Sequence, residues 1–312
     1  MSSRSAAVRE EAAIVLCLLA MYGANACQAV VATGAVAPLL QLLRQANMQA
    51  TTSSGSSSSS SSSDASDGRG DSRVSEGLKW WVARAMHSIA NHSRQGREAI
   101  ATAGGIVQLV GLLADTNMSV SAAAGVLAAL AGGSPAHRQA VEAAGGIAAL
   151  KHQLHGIAFS PSNAGSPAVC RALSALARGG AASCAEVATP HDDLRDGDGV
   201  GRLLFLLRTG YVDRPTQAAV AETLATLAAY GSEELRAAVA QRAAALPAKP
   251  AALLSSALAA VQAVRVARVC AAEGCGAARG LKRCGGCGTV RWAPGLTNAP
   301  GASCFTGRPG WI

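Results

Sequence analysis

Aromatic side chains are nearly missing from this chain: Phe, Tyr and Trp make up 3% of its 312 residues. A β-sandwich core draws on Tyr, Phe, Ile and Thr, so the scarcity argues for closely packed helices, with Ala, Leu and Val supplying the apolar surface. Charge is sparse at 15%, yet no apolar run is long enough to cross a bilayer. The main candidate, "AAIVLCLLAMYGA" (12–24), leads into an "ANA" that mimics a signal-peptidase site, but Glu10 and Glu11 stand where a signal peptide wants positive charge. Neither a cleaved signal nor a membrane partner is expected. A P-loop, a nucleophile elbow and a dinucleotide-binding glycine loop are all absent, and "GDGVG" (197–201) precedes a helical pattern rather than a Rossmann turn. The expectation is a protein that binds and is not an enzyme.

The net charge of +8 is unevenly placed. From Arg265 onward seven basic residues (Arg265, Arg268, Arg279, Lys282, Arg283, Arg291 and Arg308) face one acid, Glu273. Such a tail points to an acidic protein surface or to nucleic acid. Of nine cysteines, five follow residue 269, while Cys17, Cys27, Cys170 and Cys184 are scattered through apolar stretches. Clustered C-x2-C spacing without an export signal reads as metal ligation in a reducing compartment, hence an intracellular protein of cytoplasm or nucleus.

Internal similarity organises the rest. "VVATGAVAPLLQLL" (30–43), "AIATAGGIVQLVGLL" (99–113), "AVEAAGGIAALKHQL" (140–154) and "RDGDGVGRLLFLL" (195–207) align so that Val36, Ile106, Ile147 and Val200 coincide. In the same register fall Leu39, Leu109, Leu150 and Leu203, then Leu43, Leu113, Leu154 and Leu207. The middle step of 41 residues is the bare period; the outer steps of 70 and 53 carry insertions. A second helical pattern recurs in 13–20, 82–90, 123–131, 169–177 and 220–228, with apolar residues three and four apart as in Met86, Ile89 and Ala90. Glycines between the patterns let a helix stop and restart at a sharp angle.

The stretches "IATAGGIVQLVGLL" and "VEAAGGIAALKHQL" resemble the helix-turn-helix signature of armadillo repeats, and the resemblance covers residues 5–265. It implies an all-α fold, an armadillo-like α-solenoid of four to five repeats in which each unit covers its neighbour's apolar face. It also implies a groove, lined by the last helix of each repeat, that holds extended peptides. In nuclear-import adaptors that groove carries a Trp and, four residues on, an Asn. The matching pairs here are Arg84/Ser88, Gly125/Ala129, Arg171/Ala175 and Glu222/Thr226, so that mode of reading is not expected. Arg84 and Arg171 are the candidate partner-binding residues, suited to an acidic peptide, beside the plainer reading of both as solvated helix-surface arginines. The Ser-rich insertion at 49–77 cannot bury a core and is expected to be disordered. Its "RGD" (69–71) is expected to be a chance tripeptide, and "TPHDDLRDGDG" (189–199) a solvated loop. His152 with His155, and His87 with His92, lack the Cys or carboxylate companions of a metal site.

"CAAEGCGAARGLKRCGGCGTVR" places Cys270, Cys275, Cys284 and Cys287 in the spacing C-x4-C-x8-C-x2-C. It resembles the first half of a MYND-type zinc finger, a module that binds short, often proline-containing peptides and two zinc ions. The resemblance assigns 269–291 to a partial finger and leaves 292–312 as an irregular tail. The family's remaining ligands are missing: only Cys304 follows, and no histidine occurs after His191. A shifted reading frame, a splice variant or an altered gene model would produce such a tail. Two tetrahedral sites need eight donors, so at most one Zn2+ per chain is expected, on the four named cysteines. The alternative is a metal-free segment.

The function these features imply is an interaction scaffold or adaptor. Its rivals are a zinc-dependent nucleic-acid-binding regulator, which would need the aromatic interleaving or recognition helix this chain lacks, and a non-catalytic remnant of a larger MYND-containing enzyme.

Overall fold

The structure, a computed structural model, describes residues 2–53, 68–114, 119–157, 166–190, 198–209 and 212–272. These residues form fifteen helices and no strand. A leading helix, α1 (Ser2–Met21), is followed by four units of three helices. The first unit is α2 (Ala24–Ala32), α3 (Val36–Ser53) and α4 (Gly68–His92). The second is α5 (Arg94–Thr102), α6 (Gly105–Leu112) and α7 (Ser119–Gly133). The third is α8 (Pro135–Ala143), α9 (Gly146–Ile157) and α10 (Ser166–Ala177). The fourth is α11 (Ala181–Ala188), α12 (Gly199–Thr209) and α13 (Arg214–Tyr230), after which α14 (Glu233–Ala243) and α15 (Ala248–Ala272) close the stack.

The aligned apolar positions are core positions. Val36, Ile106, Ile147 and Val200 are buried, as are the two leucine columns headed by Leu39 and Leu43. The glycine step between the first and second helix of a unit works as expected, and its two residues do different jobs. Gly34, Gly104 and Gly145 hold φ of 73°, 74° and 77°, the left-handed region that an L-residue avoids. The residue after them allows close approach: a Cβ on Gly105 would stand 2.8 Å from Ile100 O, and one on Gly146 2.8 Å from Val141 O. The turn bends the chain by 81° between residues 24–32 and 36–48. In the fourth unit Asp198 replaces the first glycine, and its carboxylate accepts from Gly201 N at 2.8 Å and from Arg242 at 2.6 Å.

The recurring segments at 82–90, 123–131, 169–177 and 220–228 are the third helices, and they pack on one another in order: α1 on α4, α4 on α7, α7 on α10, α10 on α13, α13 on α15. This layer is the spine of the molecule. A hydrogen bond repeats at each entry to a new unit. Four residues after the N-cap of the first helix, a side chain donates to a carbonyl ending the preceding third helix. Cys27 reaches Ala20 O (3.0 Å), Arg97 Ala90 O (2.6 Å), Arg138 Ala131 O (3.2 Å), Cys184 Ala177 O (3.0 Å) and Arg236 Ala228 O (3.1 Å). The last carbonyls of a helix have no partner within it, so each donor closes an open helix end and ties two units together. Where the cap is Gly23 or Gly180 the donor is a thiol; where it is Ser93, Ser134 or Ser232 it is a guanidinium. The four dispersed cysteines are all free and buried.

Within the expected Ser-rich insertion at 49–77, α3 runs to Ser53 and α4 starts at Gly68, so Arg69, Gly70 and Asp71 have helical backbone, while residues 54–67 lie outside those described. Past residue 265, α15 continues to Ala272. No single described helix is long and apolar enough to cross a membrane; α2 with α3 passes that test only as a bent pair.

Candidate functional site

Arg84 on α4 and Arg171 on α10 are both exposed on the third-helix layer, with α7 between their helices. Arg84 sets its guanidinium over the Trp80 ring at 5.5 Å, and Trp80 meets Trp81 edge-on at 4.4 Å. The aromatic face fixes the direction of the charge without neutralising it. Arg171 Nε donates to Pro167 O at 3.1 Å, one turn earlier on its own helix. Among the described residues neither guanidinium has a carboxylate partner.

The charges of both reach His87, which spacing alone marks only as a histidine five residues from His92. His87 is half-buried, and its ring covers Gly125 on α7: a Cβ there would stand 2.5 Å from Nε2. Gly125 holds the place where a peptide-reading groove would carry Trp, so an imidazole from the neighbouring helix occupies that space. Asn91 Nδ2, one turn on, lies 2.9 Å from His87 Nε2 and donates to it when the imidazole is neutral. Burial lowers the His87 pKa, and the nearby positive charges of Arg171, Arg84 and His92 lower it further. Both arginines therefore act on one spot. A glycine inside the Ala-rich "SAAAGVLAAL" is the signal that could have pointed there.

Towards the C-terminal end the same layer carries an ion pair. Arg178 meets Glu222 at 2.6 Å, and Ser174 and Thr226 share a buried hydrogen bond of 3.0 Å. The second members of the aligned pairs are mostly seam residues: Ser88 donates to Ala20 O across the α1–α4 contact, and Ala175 and Thr226 are buried. The absence of an asparagine ladder thus has a structural side, since these positions are spent on helix–helix packing. His152 and His155 sit on α9, exposed and half-exposed, and His92 bonds Ser88 O on its own helix. Among the described residues no three His, Cys, Asp or Glu side chains gather as a metal site.

Of the zinc-finger cysteines, Cys270 falls within the last turn of α15, while Cys275, Cys284 and Cys287 lie outside the described residues, as do the partial finger after Ala272 and the tail at 292–312. Most of the loop at 189–199 also lies outside them. The donor set itself, five cysteines after residue 269 and no histidine, suits one tetrahedral thiolate site and no second one.

No protein-family model matches the sequence, and a search of the curated proteins finds no match either. Solved structures do match. An engineered protein is 25% identical with a TM-score of 0.58, covering 81% of this chain and 90% of its own. A designed armadillo repeat protein is 19% identical with a TM-score of 0.56, covering 80% and 91%. Another, in complex with the peptide (KR)4, is 20% identical with a TM-score of 0.56, covering 80% and 92%. The fold is an armadillo-like α-solenoid.

Proposed function

We propose that the chain is a peptide-binding scaffold, and that its third-helix layer holds an extended acidic peptide across α4, α7 and α10. The observation that carries this reading is the pair of exposed guanidiniums, Arg84 and Arg171, without carboxylate partners among the described residues, on a layer where Arg178, further along, is paired with Glu222. The armadillo-like fold supports it, because one designed armadillo repeat protein is seen in complex with a charged peptide, (KR)4. Here the open charge is positive, so the complementary peptide is negative. Trp80 adds an apolar platform beside Arg84 on which a peptide side chain or a proline ring can rest. Charged contacts of this exposed kind steer and select more than they bind, so micromolar affinity with strong salt dependence is the fitting regime.

Fluorescence anisotropy with labelled (DE)4 and (KR)4 peptides tests the reading on the full chain. The acidic peptide binds, weakens as salt is raised, and is lost in the double variant Arg84→Glu, Arg171→Glu; the basic peptide does not bind. Equal binding of both peptides, or indifference to the charge reversals, would overturn it. A single-stranded oligonucleotide that outcompetes the acidic peptide with a steep salt slope would transfer the site to the nucleic-acid reading.

A further inference from the structure

Among the described residues, His87 is an ionisable group of the third-helix layer that packs against a neighbouring spine helix. His87 lies against Gly125, half-buried, and receives the Asn91 amide on Nε2 in its neutral form. The groups whose charge acts on it among the described residues are Arg84 and His92 from its own helix and Arg171 from α10. The helix packed between, α7, has no ionisable side chain. On other helices that touch α4, Arg44 bonds Ala103 O, Arg97 bonds Ala90 O and Glu98 meets His137, while the exposed Glu11 of α1 and Arg94 of α5 are not among the charges acting on the ring. The free site is therefore an imidazole kept neutral by its own surroundings, with two unneutralised cations beside it.

We infer that His87 is a third ligand-contacting residue of this groove, and that it gains a proton when the carboxylates of an acidic peptide settle at Arg84 and Arg171. The inference rests on the peptide-binding reading and adds a regulator to it. The physics is the exchange of repulsion for attraction. In the free protein the two arginines oppose a charge on His87, and burial opposes it further. Carboxylates at those arginines offset their field and add an opposite charge next to the ring. The protonated ring then presents Nε2–H as a donor, and Asn91 can turn its carbonyl oxygen to the same hydrogen. The pKa in the complex lies above that in the free protein. Between the two values binding takes up a proton, so affinity rises as pH falls through that window.

Isothermal titration of the full chain with (DE)4, from pH 5.5 to 8, reads this directly. Peptide carboxylates, with ordinary pKa values near about 4, stay ionised throughout and add no slope. Each unit by which the ligand raises the His87 pKa makes binding up to about tenfold tighter at the acid end. Buffers of different ionisation enthalpy then show a fractional proton entering the complex. His87→Gln puts an uncharged amide in place of the imidazole and binds with a flat pH profile, while His92→Gln keeps the slope. Binding that ignores pH, or a slope that survives in His87→Gln, would overturn the inference and leave the scaffold reading standing. Failure of the peptide to bind at any pH would remove both.

Discussion

The double glycine at 145–146 contains two separate physical demands, and substitution can pull them apart. Gly145 has φ +77° and open space where a Cβ would go, with nothing within 4 Å. Alanine there meets no neighbour. It pays the left-handed backbone cost of about 1–2 kcal/mol, reduced by the smaller conformational freedom alanine has in the unfolded chain. The net loss is about 1 kcal/mol, and Gly145→Asn loses less because asparagine tolerates this conformation. Gly146 needs no unusual φ; its demand is steric. A Cβ would stand 2.5 Å from Val141 Cγ1 and 2.8 Å from Val141 O, and the carbonyl is fixed within α8. The helix start must shift, at about 1–3 kcal/mol, the range for overpacking a filled site. Asparagine brings no relief here and costs at least as much as alanine. Urea unfolding followed by circular dichroism at 222 nm measures all four variants. Asparagine worse than alanine at 145, or a neutral Gly146→Ala, would refute the division of roles. In the first unit Ala35 follows the left-handed Gly34, so that unit carries a side chain at the position of Gly146.

Leu109→Ala should cost about 2–5 kcal/mol, because the side chain is fully buried and its column of leucines leaves a cavity when truncated; a loss below about 0.5 kcal/mol would mean the repeat register is wrong. Cys170 and Cys184 should resist thiol reagents in the native protein at pH 8, since burial pushes both pKa values up to about 12 and leaves almost no thiolate; mass spectrometry that finds either labelled before unfolding contradicts the packing. His87 should make the free protein less stable in acid. Its folded-state pKa is depressed, so the stability it contributes is complete above its unfolded value of about 6.5 and is lost as pH falls through the lower folded value. His87→Gln should flatten that part of a melting-temperature profile, and an unchanged profile would exclude the effect. Metal analysis of the native protein should find no more than one zinc per chain, removed by Cys284→Ser with helical content unchanged; two zincs would overturn the ligand count.

The sequence by itself determined the architecture, because an armadillo-like stack is a one-dimensional problem. Each unit needs only an apolar column at helical spacing and a residue that can turn, and both are visible in Leu39, Leu109, Leu150 and Leu203 and in the glycines that precede them. Arg84 and Arg171 could be picked out in advance since the repeat register alone assigns them to the third-helix surface. Tertiary structure decided what the register cannot carry. That His87 crosses to the space above Gly125 depends on how closely α4 and α7 approach, and no spacing within either helix encodes that distance. The ladder of Cys27, Arg97, Arg138, Cys184 and Arg236 stayed hidden for a related reason. A thiol and a guanidinium share no pattern in composition, hydropathy or charge, and become equivalent only when the open carbonyl each one meets is in place.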